Sequence, residues 1–389
     1  MSDDLTDLVR DLERRFADLS LAHVTAWKAE APGRKALGCM PVFCPREVLW
    51  AAGALPVFIR GGGDQLETIR GDAYYQSYIC HLPRSTLELC LGGWLDALDG
   101  MLFPNTCDVI RNLSGLWSSV APGRFSRFLD PPQTYDAPAA VGWWRGELSR
   151  LYLDVCAMTG TRPSDEALWA SISAWEEPRG ALAKLSRARA AQPWNLPADE
   201  VYLLRRAGDA MPPREFTRLV DCYLACAVAR KARREDRIRV VLVGAFCEQP
   251  PLGLLRALER AGCYLVDDDL LLGAEDLVEP VDAVGDPLDA LARAYLVKGA
   301  GSSVRYDEQR ARGLELARRA RSLHADGVVF AAPSFCDPAL LDQPRLTRAL
   351  DEAGVPYTAF KYSEDTGQFQ SFREQAGTFS DSVKLWGRA

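Results

Sequence analysis

The chain has 389 residues, 48% of them hydrophobic and 25% charged, with a formal net charge of −7. That length exceeds one ordinary core, and the composition is that of a globular protein of two or more domains. The acidic balance argues against nucleic acid as the main partner, because phosphate binding needs a basic footprint, and no apolar run reaches membrane-spanning length.

Residues 1–30 read as an amphipathic helix, with Leu5, Leu8, Val9, Leu12, Phe16, Leu19 and Leu21 mostly at helical spacing. The acidic start MSDDLTDLVRDLERR is unlike a signal peptide, which predicts a cytoplasmic protein. From Lys35 an α/β grammar begins: a strand near Ala36–Met40, a Pro-bounded loop, a helix Arg46–Ala52 closed by Gly53, and a strand Leu55–Ile59. The same helix–Ala-Gly–strand phrase recurs at Leu254–Val266 and Leu346–Phe360, which predicts parallel sheets with a left-handed glycine cap each time. Between Gly142 and Arg237 strand signals vanish, and Pro163, Pro193, Pro197 and Pro212-Pro213 mark helix boundaries. The basic run Arg230, Lys231, Arg233, Arg234 and Arg237 reads as a solvated helix face or a partner of the helix dipole. The predicted fold class is α/β, with two Rossmann- or flavodoxin-like parallel-sheet lobes, an intervening helical region and an N-terminal helix. The expected segments are 1–30, a first lobe 31–141, a helical linker 142–237 and a second lobe 238–389.

Two strands end in nearly the same phrase. Asp99-Gly100-Met101-Leu102-Phe103-Pro104 leads to Cys107-Asp108, and Asp326-Gly327-Val328-Val329-Phe330-Ala331 leads to Cys336-Asp337. Ligands of open α/β sheets sit beyond the carboxyl ends of the strands. Cysteine placed there twice, each before an Asp expected to cap a helix, reads as a soft-metal site between similar lobes. Cys80, just before the helix that Pro83 opens, shares the cysteine-then-helix pattern and joins as a third thiol. Cys39, Cys44 and Cys247 fall in loops expected after strands and could line the same cavity, but lack the signature. Cys90, Cys156, Cys222, Cys226 and Cys263 read as ordinary buried cysteines.

With only His23, His81 and His324 and no C-x-x-C, neither a His-rich metal site nor a zinc ribbon is supported. Gly61-Gly62-Gly63-Asp64 matches no nucleotide-binding pattern. Asp267-Asp268-Asp269 reads as a solvated or capping run rather than a Mg²⁺ site.

Further stretches carry a resemblance over nearly the whole chain. They include Pro45-Arg46-Glu47, Ala51-Ala52-Gly53, Tyr75-Gln76-Ser77-Tyr78-Ile79-Cys80, Thr106-Cys107-Asp108, Phe246-Cys247-Glu248-Gln249-Pro250-Pro251 and Phe335-Cys336-Asp337. Together they resemble the 2-hydroxyacyl-CoA dehydratase / benzoyl-CoA reductase family, and within it the smaller (C-type) active-site subunits of ATP-dependent benzoyl-CoA reductases. The resemblance implies a 4Fe–4S cluster held by three cysteines, matched here by Cys80, Cys107 and Cys336, with a fourth iron position not filled by cysteine. It also implies a homologous B-type sister subunit, a separate ATP-hydrolysing iron–sulfur activator, ferredoxin as electron donor, and dearomatising two-electron reduction of benzoyl-CoA. His81, Tyr74, Tyr75 and Tyr78 are candidate proton donors. Two other readings stay open: a 2-hydroxyacyl-CoA dehydratase subunit, and a non-catalytic electron-relay or scaffold subunit.

Overall fold

The structure is a computed structural model that describes residues 2–132, 134–135, 138–270, 272, 277–304, 311–363 and 369–386. Among these residues the strands form two four-stranded parallel sheets. The first holds β1 (Lys35–Cys39), β2 (Ala54–Phe58), β3 (Gly100–Pro104) and β4 (Phe125–Leu129), in the order β2-β1-β3-β4. The second holds β5 (Ile238–Val243), β6 (Cys263–Asp268), β7 (Gly327–Pro333) and β8 (Tyr357–Tyr362), in the order β6-β5-β7-β8. The two lobes therefore share one topology, and the expected α/β class holds. In each, the chain reverses its direction of winding between the two central strands. That switch point opens a crevice at the carboxyl ends of β1 and β3, and of β5 and β7.

The twin Asp-Gly phrases have a shared structural cause. The Asp99 carboxylate accepts from Ala36 N on β1 at 2.9 Å, and the Asp326 carboxylate accepts from Arg239 N on β5 at 2.7 Å. Each acid thus ties the start of its own strand to the neighbouring central strand. A Cβ on Gly100 would stand 2.3 Å from Phe125 O, and one on Gly327 2.9 Å from Pro356 O, so glycine follows the acid in both lobes. Gly53, Gly262 and Gly354, which close the three αβ phrases, all carry positive φ as expected.

Three expectations change. The N-terminal segment is two helices, Ser2–Ala17 and Ala22–Ala29. The break comes from Asp18, whose carboxylate accepts from Ser20 N and Ala22 N and so starts the second helix. The helix expected to open at Pro83 already begins at His81, spans His81–Leu91 and stops at Gly92-Gly93. The segment around the helix Pro287–Lys298 leaves the second sheet and packs in the first lobe's core, where Tyr295 meets Phe43, Tyr135 and Trp144. Between the sheets run the helices Ala140–Thr159, Asp165–Ala191, Ala198–Ala207 and Pro213–Val228, bounded at the predicted prolines. The basic run lies past the last of these, where Arg230 pairs with Glu200 and Arg234 and Arg237 stack on Trp194 and Tyr264. No described helix is long and apolar enough to cross a membrane.

Candidate functional site

Cys80, Cys107 and Cys336 each occupy the N-cap of a helix: His81–Leu91, Asp108–Val120 and Asp337–Ala353. The cysteine itself is the cap. Asp108 and Asp337, expected in that role, are instead the first helical residues, where their charge still complements the dipole. Pro338 lies in the first turn, where its missing N–H costs nothing.

The three thiols come together from both lobes. Cys80 interacts electrostatically with Cys107 and Cys336, and Cys336 with Cys107. Burial pushes the Cys336 thiol up to about 12, against the pull of the Ala339 N–H and with the push of Glu248 and Cys107. Burial likewise raises Cys80 well above the ordinary thiol range, helped by Glu248 and the other two cysteines. Cys107 is also raised by burial, against the N–H groups of Ile110 and Val109 that face its sulfur. A site that crowds three desolvated thiols at helix N-termini is poor at holding free thiolates. It is well suited to holding them once cations neutralise their charge.

A fourth thiol belongs here. Cys247, one of the loop cysteines, is buried beyond β5, feels all three of the others, and donates to Pro41 O at 3.3 Å. Cys44 is buried past β1 and donates to Met40 O, while Cys39 is not in a loop but is the last residue of β1. Of the five read as ordinary buried cysteines, Cys156 and Cys263 are buried. Cys90 and Cys226 are half-buried and Cys222 is exposed, because their helices turn those positions outward.

The rest of the site is built from two acids to which sequence reasoning gave no role, Glu248 and Glu88, and from the candidate proton donors. Glu248 is buried, and its carboxylate accepts from His81 N at 3.0 Å and Leu82 N at 3.4 Å, across from one lobe to the other. Burial raises it to about 7, opposed by those two N–H groups. Glu88 gathers the N–H groups of Ile69, Arg70 and Gly71 and so fixes the loop that leads to Tyr75. Burial, then Cys80 and Cys107, raise the Tyr75 phenol, whose oxygen is buried with no hydrogen-bond partner among the described residues. Tyr74 and Tyr78 are exposed. His81 is the first residue of its helix, beside Cys80.

The acidic trio is not solvated. Asp268 is buried between Arg189 and Arg205, Asp269 pairs with Arg312 and accepts from Gly244 N, and Asp267 pairs with Arg319.

No three His, Cys, Asp or Glu side chains among the described residues converge on a single metal ion. An iron–sulfur cluster does not ask that of its protein, since its iron atoms take separate thiolates. The donor set is all sulfur, which suits such a group or a soft metal ion and suits magnesium less.

A sequence profile of the 2-hydroxyglutaryl-CoA dehydratase D-component family matches residues 41–383. The chain belongs to that family. It is 45% identical over 381 residues to the C-type subunit of benzoyl-CoA reductase from Thauera aromatica, covering 98% of this chain and 99% of that one. It is 28% identical over 359 residues to the lactoyl-CoA dehydratase beta subunit of Anaerotignum propionicum, covering 92% and 94%. It is 24% identical over 354 residues to the (R)-phenyllactyl-CoA dehydratase beta subunit of Clostridium sporogenes, covering 91% and 93%. The family match thus reaches into both lobes and covers Cys80, Cys107 and Cys336. These relatives are named as subunits.

Proposed function

We propose that this D-component chain is the thiol-bearing catalytic subunit of an ATP-dependent benzoyl-CoA reductase. The supporting observation is the meeting of Cys80, Cys107 and Cys336 from two lobes, in a chain 45% identical to a C-type benzoyl-CoA reductase subunit. The three cysteines would hold a 4Fe–4S cluster, which supplies low-potential electrons to the aromatic thioester. The overall reaction adds two electrons and two protons to benzoyl-CoA and gives cyclohexa-1,5-diene-1-carboxyl-CoA. Each electron comes from ferredoxin through a separate ATP-hydrolysing activator, and a sister subunit of similar fold completes the complex.

The chain's own residues have three tasks. The helix N-termini at Cys107 and Cys336 present N–H groups to the sulfurs, while the Cys80 turn is fixed through Glu248, which takes the N–H groups of His81 and Leu82. The two lobes and the loop Phe246–Glu248 keep water away, so charge at the site interacts strongly. Tyr75, its phenol oxygen buried beside Cys80 and Cys107, is the best-placed group to hold a proton. His81 shares the same turn as Cys80 and is the second candidate.

The test is iron and acid-labile sulfide per chain, on protein purified without oxygen beside its sister subunit. About four of each is expected for a 4Fe–4S cluster. None of either would overturn the reading.

The dehydratase relatives favour a second reading, in which the substrate is a 2-hydroxyacyl-CoA and the electron is recycled. Turnover of a 2-hydroxyacyl-CoA with only catalytic reductant would select it.

A further inference from the structure

Glu248 takes no part in the ligand set, yet it is a charged side chain of the second lobe that reaches the first lobe's thiol-bearing turn. Its loop is held rigidly from behind. Tyr362 OH donates to the Glu248 carbonyl at 3.2 Å, Gln249 donates to Leu270 O at 3.1 Å, and Tyr202 OH donates to Pro250 O at 3.0 Å. In front, further bonds cross to the first lobe. Cys247 Sγ donates to Pro41 O, Arg60 donates to Phe246 O at 3.1 Å, and Glu248 Oε2 accepts from His81 N and Leu82 N. The Glu248 contact is different in kind. It is made by a carboxylate and lands on the first turn of the helix whose cap is Cys80.

We propose that Glu248 is a positioning residue that clasps the second lobe onto the Cys80 turn and, by its negative charge, lowers the reduction potential of whatever the thiols hold. The clasp follows from the two N–H groups it satisfies, which have no acceptor within their own helix. The electrostatic effect follows from seating a carboxylate on the two amides that follow Cys80, since net charge and hydrogen bonding near the sulfurs set a cluster's potential. A low potential is what reduction of an aromatic ring requires. This second half rests on the iron–sulfur reading above; the clasp does not.

Two substitutions separate the roles. Glu248→Gln keeps a side-chain acceptor and removes the charge, while Glu248→Ala removes both. In metal-free full-length protein, hydrogen exchange at His81 and Leu82 is expected to quicken about tenfold to a hundredfold in the Ala variant, the range for losing a hydrogen bond to a charged group. The Gln variant should stay near wild type. In iron-loaded protein, the Gln variant should keep its iron and titrate, by EPR, at a more positive potential than wild type. Wild-type exchange at both amides in Glu248→Ala overturns the clasp, and a wild-type potential in iron-loaded Glu248→Gln overturns the tuning. A chain that takes up no iron refutes the iron–sulfur reading instead, and the exchange experiment still decides the clasp.

Discussion

Arg60 and Asp209 form a two-point ion pair, Nε to Oδ2 at 3.1 Å and Nη2 to Oδ1 at 3.3 Å, with side chains only 1% and 5% exposed. Arg60 follows β2 in the first lobe, and Asp209 sits in the helical region after the helix Ala198–Ala207. Since Arg60 also donates to Phe246 O, this one guanidinium joins both lobes and the helices between them. Removing its counter-charge leaves it buried and uncompensated, which costs about 3–5 kcal/mol. Asp209→Ala is therefore expected to lower the urea midpoint markedly, and Asp209→Ala with Arg60→Met to recover part of the loss. An unchanged midpoint in the single variant would show that the pair is not a structural joint.

Loss of any one of the three capping cysteines should remove the iron. Cys80→Ala, Cys107→Ala and Cys336→Ala are each expected to fall from about four iron per chain to near none, as a cluster with two remaining ligands is not retained. Cys156→Ala, in the helix Ala140–Thr159, should keep its iron. Cys247→Ala is expected to keep it too, because that thiol already bonds to Pro41 O. Iron retained in both Cys107→Ala and Cys336→Ala would mean those thiols only fill space.

What could be read from sequence divides along a physical line. The three αβ phrases with their glycine caps, and the strand–Cys–Asp–helix pattern, are local: the chain states them within a dozen residues or so. Cys107 and Cys336 were legible because the pattern occurs in both lobes. Cys247 and Glu248 follow β5 with no local signature, and their partners Pro41 and His81 lie in the other lobe. The Asp267–Asp269 run looks solvated until Arg189, Arg205, Arg312 and Arg319 arrive from distant helices. Nothing local in the helix Pro287–Lys298 says which lobe it covers.

Glu88 is expected to control the loop before Cys80. Its carboxylate takes the N–H groups of Ile69, Arg70 and Gly71 at 2.9, 2.6 and 2.8 Å, and Arg70 Nε at 3.0 Å. A Cβ on Gly71 would stand 2.1 Å from Arg84 O, so the loop is pressed against the same helix. Glu88→Ala should cost about 2–3 kcal/mol, the scale of losing a charged hydrogen-bond acceptor. Hydrogen exchange at those three amides should quicken while exchange in β5 stays unchanged. Equal quickening in both places would show a global loss of stability instead.

Glu259 gives a stability slope between the ordinary carboxyl range and its own raised titration. Burial raises its carboxyl to about 7, against the Ala198 N–H that donates to it at 3.0 Å and the more distant charges of Arg189 and Arg237. A raised folded pKa means stability fully present below the ordinary value near 4.3 and lost as pH rises through about 7. The side chain keeps some solvent contact, so the loss is about 1–2 kcal/mol between roughly pH 4.5 and 7. Glu259→Gln should flatten that part of the stability curve and leave the protein at least as stable as wild type at pH 8. A slope unchanged in the variant would assign it to another group.

Asp268 works in the opposite sense. Burial alone would raise its carboxyl, but Arg205 and Arg189, at 3.1 and 2.5 Å, hold it well below the usual carboxylate range. A depressed folded pKa gives stability present above the ordinary value near 3.9 and lost as pH falls below it. Both arginine side chains are 2% exposed, so neither can turn to water when the acid is removed. Asp268→Ala is expected to lose about 3–5 kcal/mol at pH 7. At pH 3 the gap between variant and wild type should be narrower, because the unfolded wild-type chain takes up a proton at this carboxyl that the folded pair still refuses. Urea midpoints at pH 7 and pH 3 check this directly. A gap that stays constant between them would mean the loss comes from packing rather than from the charge.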